Sequence, residues 1–387
     1  MFRSFFHLIA ITLFGLFLSK SALAQVQTGG TVAANASEAK VRLSVEKLSN
    51  ASFAKRQQAA KELLSVGPES VAVLDSLTET SFGETRNRLN VLLPVLRKRL
   101  FDDQLAAFLK TPSAEIAERL PQWERYKAIC GDDENALRNF GEILNAERLL
   151  FATRFFYPRD LPTLLETRTL ALEKEFHGRV DEEFPVASVA AVMLLGSESE
   201  TRLVRTTSYN ISRAFDDPRF SQLISDGIHK DSLRAIAESW IVRPGIAASR
   251  PLLFSMQHNL ASGRTVALRI IESKSVRPDI ELALLCLAKL DSQQDLSLIE
   301  SLFADETVLW PRAGQVVKIQ GRAAAFTEQT RDVALAVAAY LHGLMPTDIG
   351  FSDARTSPTT LFAIDSLGFN SDIARANALA AYRRQTK

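Results

Sequence analysis

A serine followed by a lysine three positions on is the smallest arrangement in this chain that could make a nucleophile, because a nearby amine can take the hydroxyl proton. It occurs at Ser37/Lys40, Ser44/Lys47 and Ser52/Lys55. Copies packed so closely point to a polar helix face. The Ser-Asp-Asn and Lys-Thr-Gly partners that an acylating serine uses in penicillin-binding enzymes are missing, and no Gly-x-Ser-x-Gly turn occurs. Metal chemistry needs clustered ligands, yet His177, His229, His258 and His342 share no helix-face spacing and neighbour no cysteine. His258 follows Met256-Gln257 in a predicted helix-end turn and reads as a solvated cap. The adjacent acids Asp132/Asp133, Asp181/Glu182/Glu183 and Asp216/Asp217 fall at turns or helix starts, where carboxylates cap free N–H groups. Carboxylate-based hydrolysis would need two acids to converge across a cleft, and spacing alone does not bring them there. Phosphate-cradling glycine loops are absent. These residues therefore assign no catalytic, cofactor-binding or metal-ligating position, and no cofactor.

Aromatic residues are the remaining candidates. Trp123 and Tyr126 fall at i, i+3 on one predicted helix face, beside Arg125. Trp310 precedes Pro311 in the longest predicted loop, residues 305–320. Exposed aromatics with arginine are frequent interface anchors. Core packing is the competing reading, favoured for Trp123 and evenly balanced for Trp310.

The elements that position these residues start with a leader. Arg3, an apolar stretch from Phe5 to Leu18 and Ala22-Leu23-Ala24 before Gln25 have the layout of a secretory signal peptide, cleaved between Ala24 and Gln25. The apolar core is about 14 residues, short of the ~20 that span a membrane. Export to the periplasm or the exterior is the expected location, with an uncleaved N-terminal membrane anchor as the minor alternative. No later segment is apolar for long enough to span. Residues 25–37 are small and polar and read as a flexible linker. A net charge of +1 supplies no field for nucleic acid or anionic lipid. Cys130 and Cys286 do not make a disulfide framework, and Cys286 lies in an apolar helix, so two unpaired thiols are expected.

From residue 38 onward the pattern is helical. Leu89, Leu92, Leu93, Leu96 and Leu100 fall on one helix face, and Leu296, Ile299 and Phe303 repeat the spacing. Gly67-Pro68 and Thr111-Pro112 place proline in a first helical turn, and residues 291–295 offer a cap for the helix that follows. Residues 280–290 and 333–341 are apolar nearly all round, so each needs neighbours on several sides. An Arg-x-x-Ala tag recurs at Arg56/Ala59, Arg234/Ala237, Arg264/Ala267, Arg331/Ala334 and Arg375/Ala378. Its alanine permits close helix approach, while its arginine stays in water or reaches a carboxylate. Alternation with period two occurs only around residues 315–320, where a short strand fits.

Residues 56–74, with an arginine-opened helix, a Gly-Pro turn and a second helix, resemble a HEAT-type repeat. Leu120-Pro-Gln-Trp-Glu-Arg-Tyr, Arg331-Asp-Val-Ala-Leu-Ala leading to Ile349-Gly-Phe, and Leu367-Gly-Phe followed by Arg375-Ala-Asn-Ala-Leu are similar to segments of secreted bacterial proteins built from degenerate HEAT-like repeats. That resemblance implies a fold and an envelope location, and it transfers no site residue. The expectation is an all-α, HEAT- or armadillo-like irregular solenoid of stacked hairpins. Residues 38–157 and 158–387 are expected as two repeat segments with a soft boundary near Pro158 and Pro162, or as one continuous solenoid. The expected role is a non-enzymatic scaffold for a protein or envelope polymer. The alternative is an envelope hydrolase with a cryptic carboxylate-based site.

Overall fold

The computed structural model describes residues 38–176, 183–273, 277–310, 318–319, 322–323 and 326–386. The leader, its cleavage point at Ala24/Gln25 and the linker 25–37 lie outside these residues. The described chain is all-α, with three short two-stranded antiparallel pairings.

Two compact units divide at Ala106/Ala107. That division falls within a helix and not at residues 157–165, where the prolines suggested a boundary. Pro162 merely occupies the first turn of a helix that packs back on the one before it, so the chain stays within one unit there.

The first unit contains α1 (38–46), α2 (Phe53–Val66), α3 (Val71–Thr80) and most of α4 (Gly83–Lys110). Val41 and Val45, Ala59 and Leu63, and Val71 and Leu74 close on Leu89, Leu92, Leu93 and Leu96 of α4, with Leu100 packed at the edge. The leucine stripe read from the sequence is thus the floor of this core. Pro68 opens a single 3-10 turn ahead of α3, and Gly67 before it adopts φ 102°, a conformation that favours glycine. Ser44 and Lys47 both turn to Glu62, at 3.3 and 3.8 Å, so this Ser-x-x-Lys is a polar contact and not a nucleophile with its base.

The second unit runs through α5 (Ala114–Ala117), α6 (Trp123–Cys130), α7 (Glu134–Ala146), α8 (Arg148–Phe156), α9 (Leu161–Phe176), α10 (Val186–Gly196), α11 (Arg205–Ser212) and α12 (Pro218–Asp226). It continues with α13 (Lys230–Ile241), α14 (Ser249–His258), α15 (Ser262–Glu272), α16 (Arg277–Lys289), α17 (Leu296–Ser301), α18 (Thr330–Leu341) and α19 (Asp372–Gln385). Contacts link α7 to α10, α10 to α13, α13 to α15, α15 to α16 and α16 to α18. The helices apolar on all sides, α10, α16 and α18, sit within this row and are buried almost throughout. Burial of ~0.8 kcal/mol per methylene makes such helices stable only where neighbours surround them. Among the described residues, no helix is long and apolar enough to cross a membrane.

Start signals were mostly legible. Asp133 caps α7 and Asp217 caps α12, each accepting a first-turn N–H. Pro112 is an exception. It precedes the cap, Ser113, so it stands outside the helical turn assigned to it. Asp295 is another, because it stands at the cap position of α17 without capping it. Its carboxylate is taken instead by both arms of Arg264, each at 2.7 Å.

All five alanines of the Arg-x-x-Ala tag are buried. Their arginines reach out to neighbouring elements. Arg56 donates to the Asn50 carbonyl at 2.7 Å, Arg234 to the His258 carbonyl at 3.0 Å and Arg264 to Asp295. Arg331 pairs with Glu306 at 2.6 Å, and Arg375 with Asp332 at 2.6 Å. One tag thus does two jobs, with a small face for close packing and a long cation that ties down a neighbouring segment.

Both cysteines are free. Cys286 is buried where α15 approaches α16 at Gly263. A Cβ on Gly263 would come within 2.6 Å of Ser255 Cβ and 3.0 Å of the thiol. Cys130 lies 3.7 Å from the Ser232 carbonyl. Burial pushes each thiol up to about 12, so neither carries thiolate at neutral pH. The native chain is expected to resist iodoacetamide at pH 8 over an hour, and to take a label on each cysteine once unfolded in guanidinium. Intact mass reads both states. Prompt native labelling of Cys286 would contradict this packing.

Candidate functional site

Three carboxylates that are far apart in sequence meet in the second unit. Glu281, Glu328 and Asp365 each place an oxygen within 4.8 Å of the other two. Glu281 belongs to the apolar stretch of α16 and is buried. Glu328 belongs to strand β4 (Glu328–Gln329), which pairs antiparallel with β1 (Val308–Trp310) and leads directly into α18. Asp365 follows the small hairpin of β5 (Thr356–Ser357) and β6 (Leu361–Phe362), and holds φ 65°, a left-handed geometry that aspartate tolerates. A second hairpin pairs β2 (Lys318–Ile319) with β3 (Arg322–Ala323), so a strand does occur in the 315–320 region.

The loop from Asp365 to Phe369 clamps the two glutamates through its backbone. Asp365 N–H donates to Glu281 Oε1 at 3.2 Å, and Leu367 N–H donates to Glu328 Oε2 at 2.7 Å. Thr327 and Phe369 then exchange backbone hydrogen bonds at 2.9 Å in each direction. The approach requires Gly368, since a Cβ there would meet the Thr327 carbonyl at 2.4 Å and Glu328 Cα at 2.8 Å. Lys289 at the end of α16 donates to the Pro358 carbonyl at 3.0 Å, tying the first hairpin to the same helix.

Glu328 is 0 % exposed, and its Oε1 has no hydrogen-bond partner. Burial, and then the charges of Glu281 and Asp365, push its carboxyl up to about 9. Three carboxylates so close, two of them buried, repel one another wherever they are charged, and burial adds to that cost.

Beside this cluster lies a groove lined by Glu306, Gln329, Arg331, Asp332, Asp372 and Arg375. Its two arginines are engaged by carboxylates. Arg331 bonds Glu306 and the Gln329 side chain, each at 2.6 Å. Arg375 grips both oxygens of Asp332 and also bonds Asp372. Asp332 in turn accepts the Gln329 N–H at 3.0 Å, closing the capping box of α18. This network fixes the strand-to-helix corner that carries Glu328.

The aromatic candidates divide. Trp123 and Tyr126 are core residues, packed on Phe140 with ring centroids 5.2 and 4.8 Å away. Neither offers a face to a partner, because the i, i+3 stripe that carries them is the buried stripe of α6. Arg125 is spent internally, donating to Ser197 Oγ at 2.7 Å. Trp310 stays half-buried and stands opposite Glu328 in the β1–β4 register, at the edge of the acid cluster.

His258 is not a solvated cap. Its Nε2 shares a hydrogen bond with Ser221 Oγ at 2.7 Å, and Ser221 Oγ also accepts from Gln257 Nε2 at 3.0 Å. Burial, and then Arg234, lower its pKa and keep the ring neutral. Ser221 lies within α12, and its own N–H is bonded to the Asp217 carbonyl at 3.2 Å, so that N–H is not open to an oxyanion.

Sequence reading missed the acid cluster. The one signal was Glu281, a carboxylate inside the apolar run of residues 280–290. Comparison with protein-family models, curated proteins and solved structures finds no match to this chain.

Proposed function

We propose that this chain is an exported, non-enzymatic helical-repeat scaffold that binds a protein or envelope polymer. What supports the reading is the outward face of α4. Val91 and Val95 stand one turn apart and are 70 % and 44 % exposed, on the side opposite the leucine stripe. The Glu84–Arg88 pair precedes them on that face and the Lys98–Asp102 pair follows, at 2.6 and 2.5 Å. An apolar spot bracketed by fixed charges has the anatomy of an interface, with an anchor at the centre and a polar rim. The acid cluster does not favour the hydrolase alternative, because a fully buried Glu328 cannot reach a polymer bond.

The test is a photo-crosslinking residue at Val91 in intact cells, with an exposed control at Glu134. One species recovered repeatedly from Val91 and not from Glu134 is the expected result. The scaffold reading fails if position 91 yields nothing reproducible.

A further inference from the structure

We propose that Glu281, Glu328 and Asp365 form a binding site for one hard divalent cation of calcium's class. This goes beyond the scaffold reading and stands or falls separately from it. The first argument is geometric. Oxygens bound to calcium at about 2.3–2.6 Å lie no more than about 5 Å apart, and the three carboxylates meet that limit at 4.8 Å. The second is the state of Glu328. It is wholly buried, one oxygen takes the Leu367 N–H, and the other has no hydrogen-bond partner. A buried carboxylate oxygen without a donor is what a coordinating cation satisfies.

The donor set selects the metal class. It is all oxygen and contains no histidine or thiol, which suits calcium, magnesium or manganese over zinc or copper. Asp365 is half-buried, so the site has a wet side through which an ion enters and where waters complete its shell. Two backbone N–H groups already orient Glu281 and Glu328, which prepares the site before the ion arrives. The competing way to neutralise the pair is a proton held between the two glutamates, and the experiment separates these states.

The probe is calcium chloride added to the full chain after EDTA treatment and dialysis, followed by titration calorimetry and thermal melting at pH 7.5. One site per chain is expected, with a dissociation constant on the order of 10⁻⁴ M. At 10 mM calcium the melting temperature should rise by about 5 °C. Glu328→Gln should abolish both signals while melting in EDTA no lower than the parent. Asp365→Asn, at the wet edge, should weaken binding at least tenfold and decides the matter should Glu328→Gln not fold. Absence of heat and of a melting shift with calcium, magnesium and manganese at 10 mM overturns the proposal in favour of the shared proton. A calcium response unchanged in Asp365→Asn overturns it as well, since the ion then binds elsewhere.

Discussion

Replacing Arg375 with alanine is expected to destabilise the chain by about 3–5 kcal/mol, the cost of stranding a buried charge. Asp332 has a side chain 0 % exposed, and Arg375 is itself only 9 % exposed. Both Asp332 oxygens receive this guanidinium, at 2.6 and 3.0 Å. Arg375 also donates to Thr327 Oγ1 at 3.2 Å and lies 5.7 Å from the Phe369 ring centre, so it braces the strand on which Glu328 stands. Adding Asp332→Asn to Arg375→Ala should recover part of the loss, because a neutral amide leaves no charge buried. Arg375→Lys should fall between, keeping the charge but losing the planar fork. Urea unfolding followed by circular dichroism measures all of these. A shift under about 1 kcal/mol for Arg375→Ala would show that the pair is solvated and worth no more than a surface bridge.

Trp240→Ala should cost a similar amount, about 3–5 kcal/mol, by opening a cavity in the middle of the second unit. The indole is 0 % exposed and donates Nε1–H to Ser212 Oγ at 3.2 Å. It lies directly over Gly196, where an added Cβ would touch the ring at 3.0 Å. Its helix, α13, packs on α6, α10, α12 and α15, so the void would loosen several contacts together. Trp240→Phe should lose less, because the ring volume is largely kept and only the hydrogen bond to Ser212 goes. Chemical denaturation gives the ranking. Near-equal losses for phenylalanine and alanine would mean that the bond, and not the volume, carries the effect.

The surroundings of these residues explain what was readable in advance. The leucine stripe of α4 and the apolar runs of α10, α16 and α18 were legible because a helix repeats every 3.6 residues, and burial follows that period. The alanines of the Arg-x-x-Ala tag were legible for the same reason. Their arginines were only half so. That Arg264 would reach Asp295 and Arg375 would reach Asp332 depends on which helices become neighbours, and no local pattern carries that.

The candidate site lay beyond local pattern altogether. Glu281, Glu328 and Asp365 sit on a helix, a strand and a loop, and 84 positions separate the first from the last. Trp123 and Tyr126 had an interface-like spacing, yet the face they share turned inward against Phe140. By itself the chain's order of residues determined that it would be helical, where its greasy faces lie and most of the turns that start its helices, because those properties are settled within a few residues of backbone. Tertiary structure alone decided which acids meet, which aromatics are hidden and which arginines are neutralised. Each of those depends on through-space distances of a few ångströms between segments remote along the chain, and only the packed fold sets them.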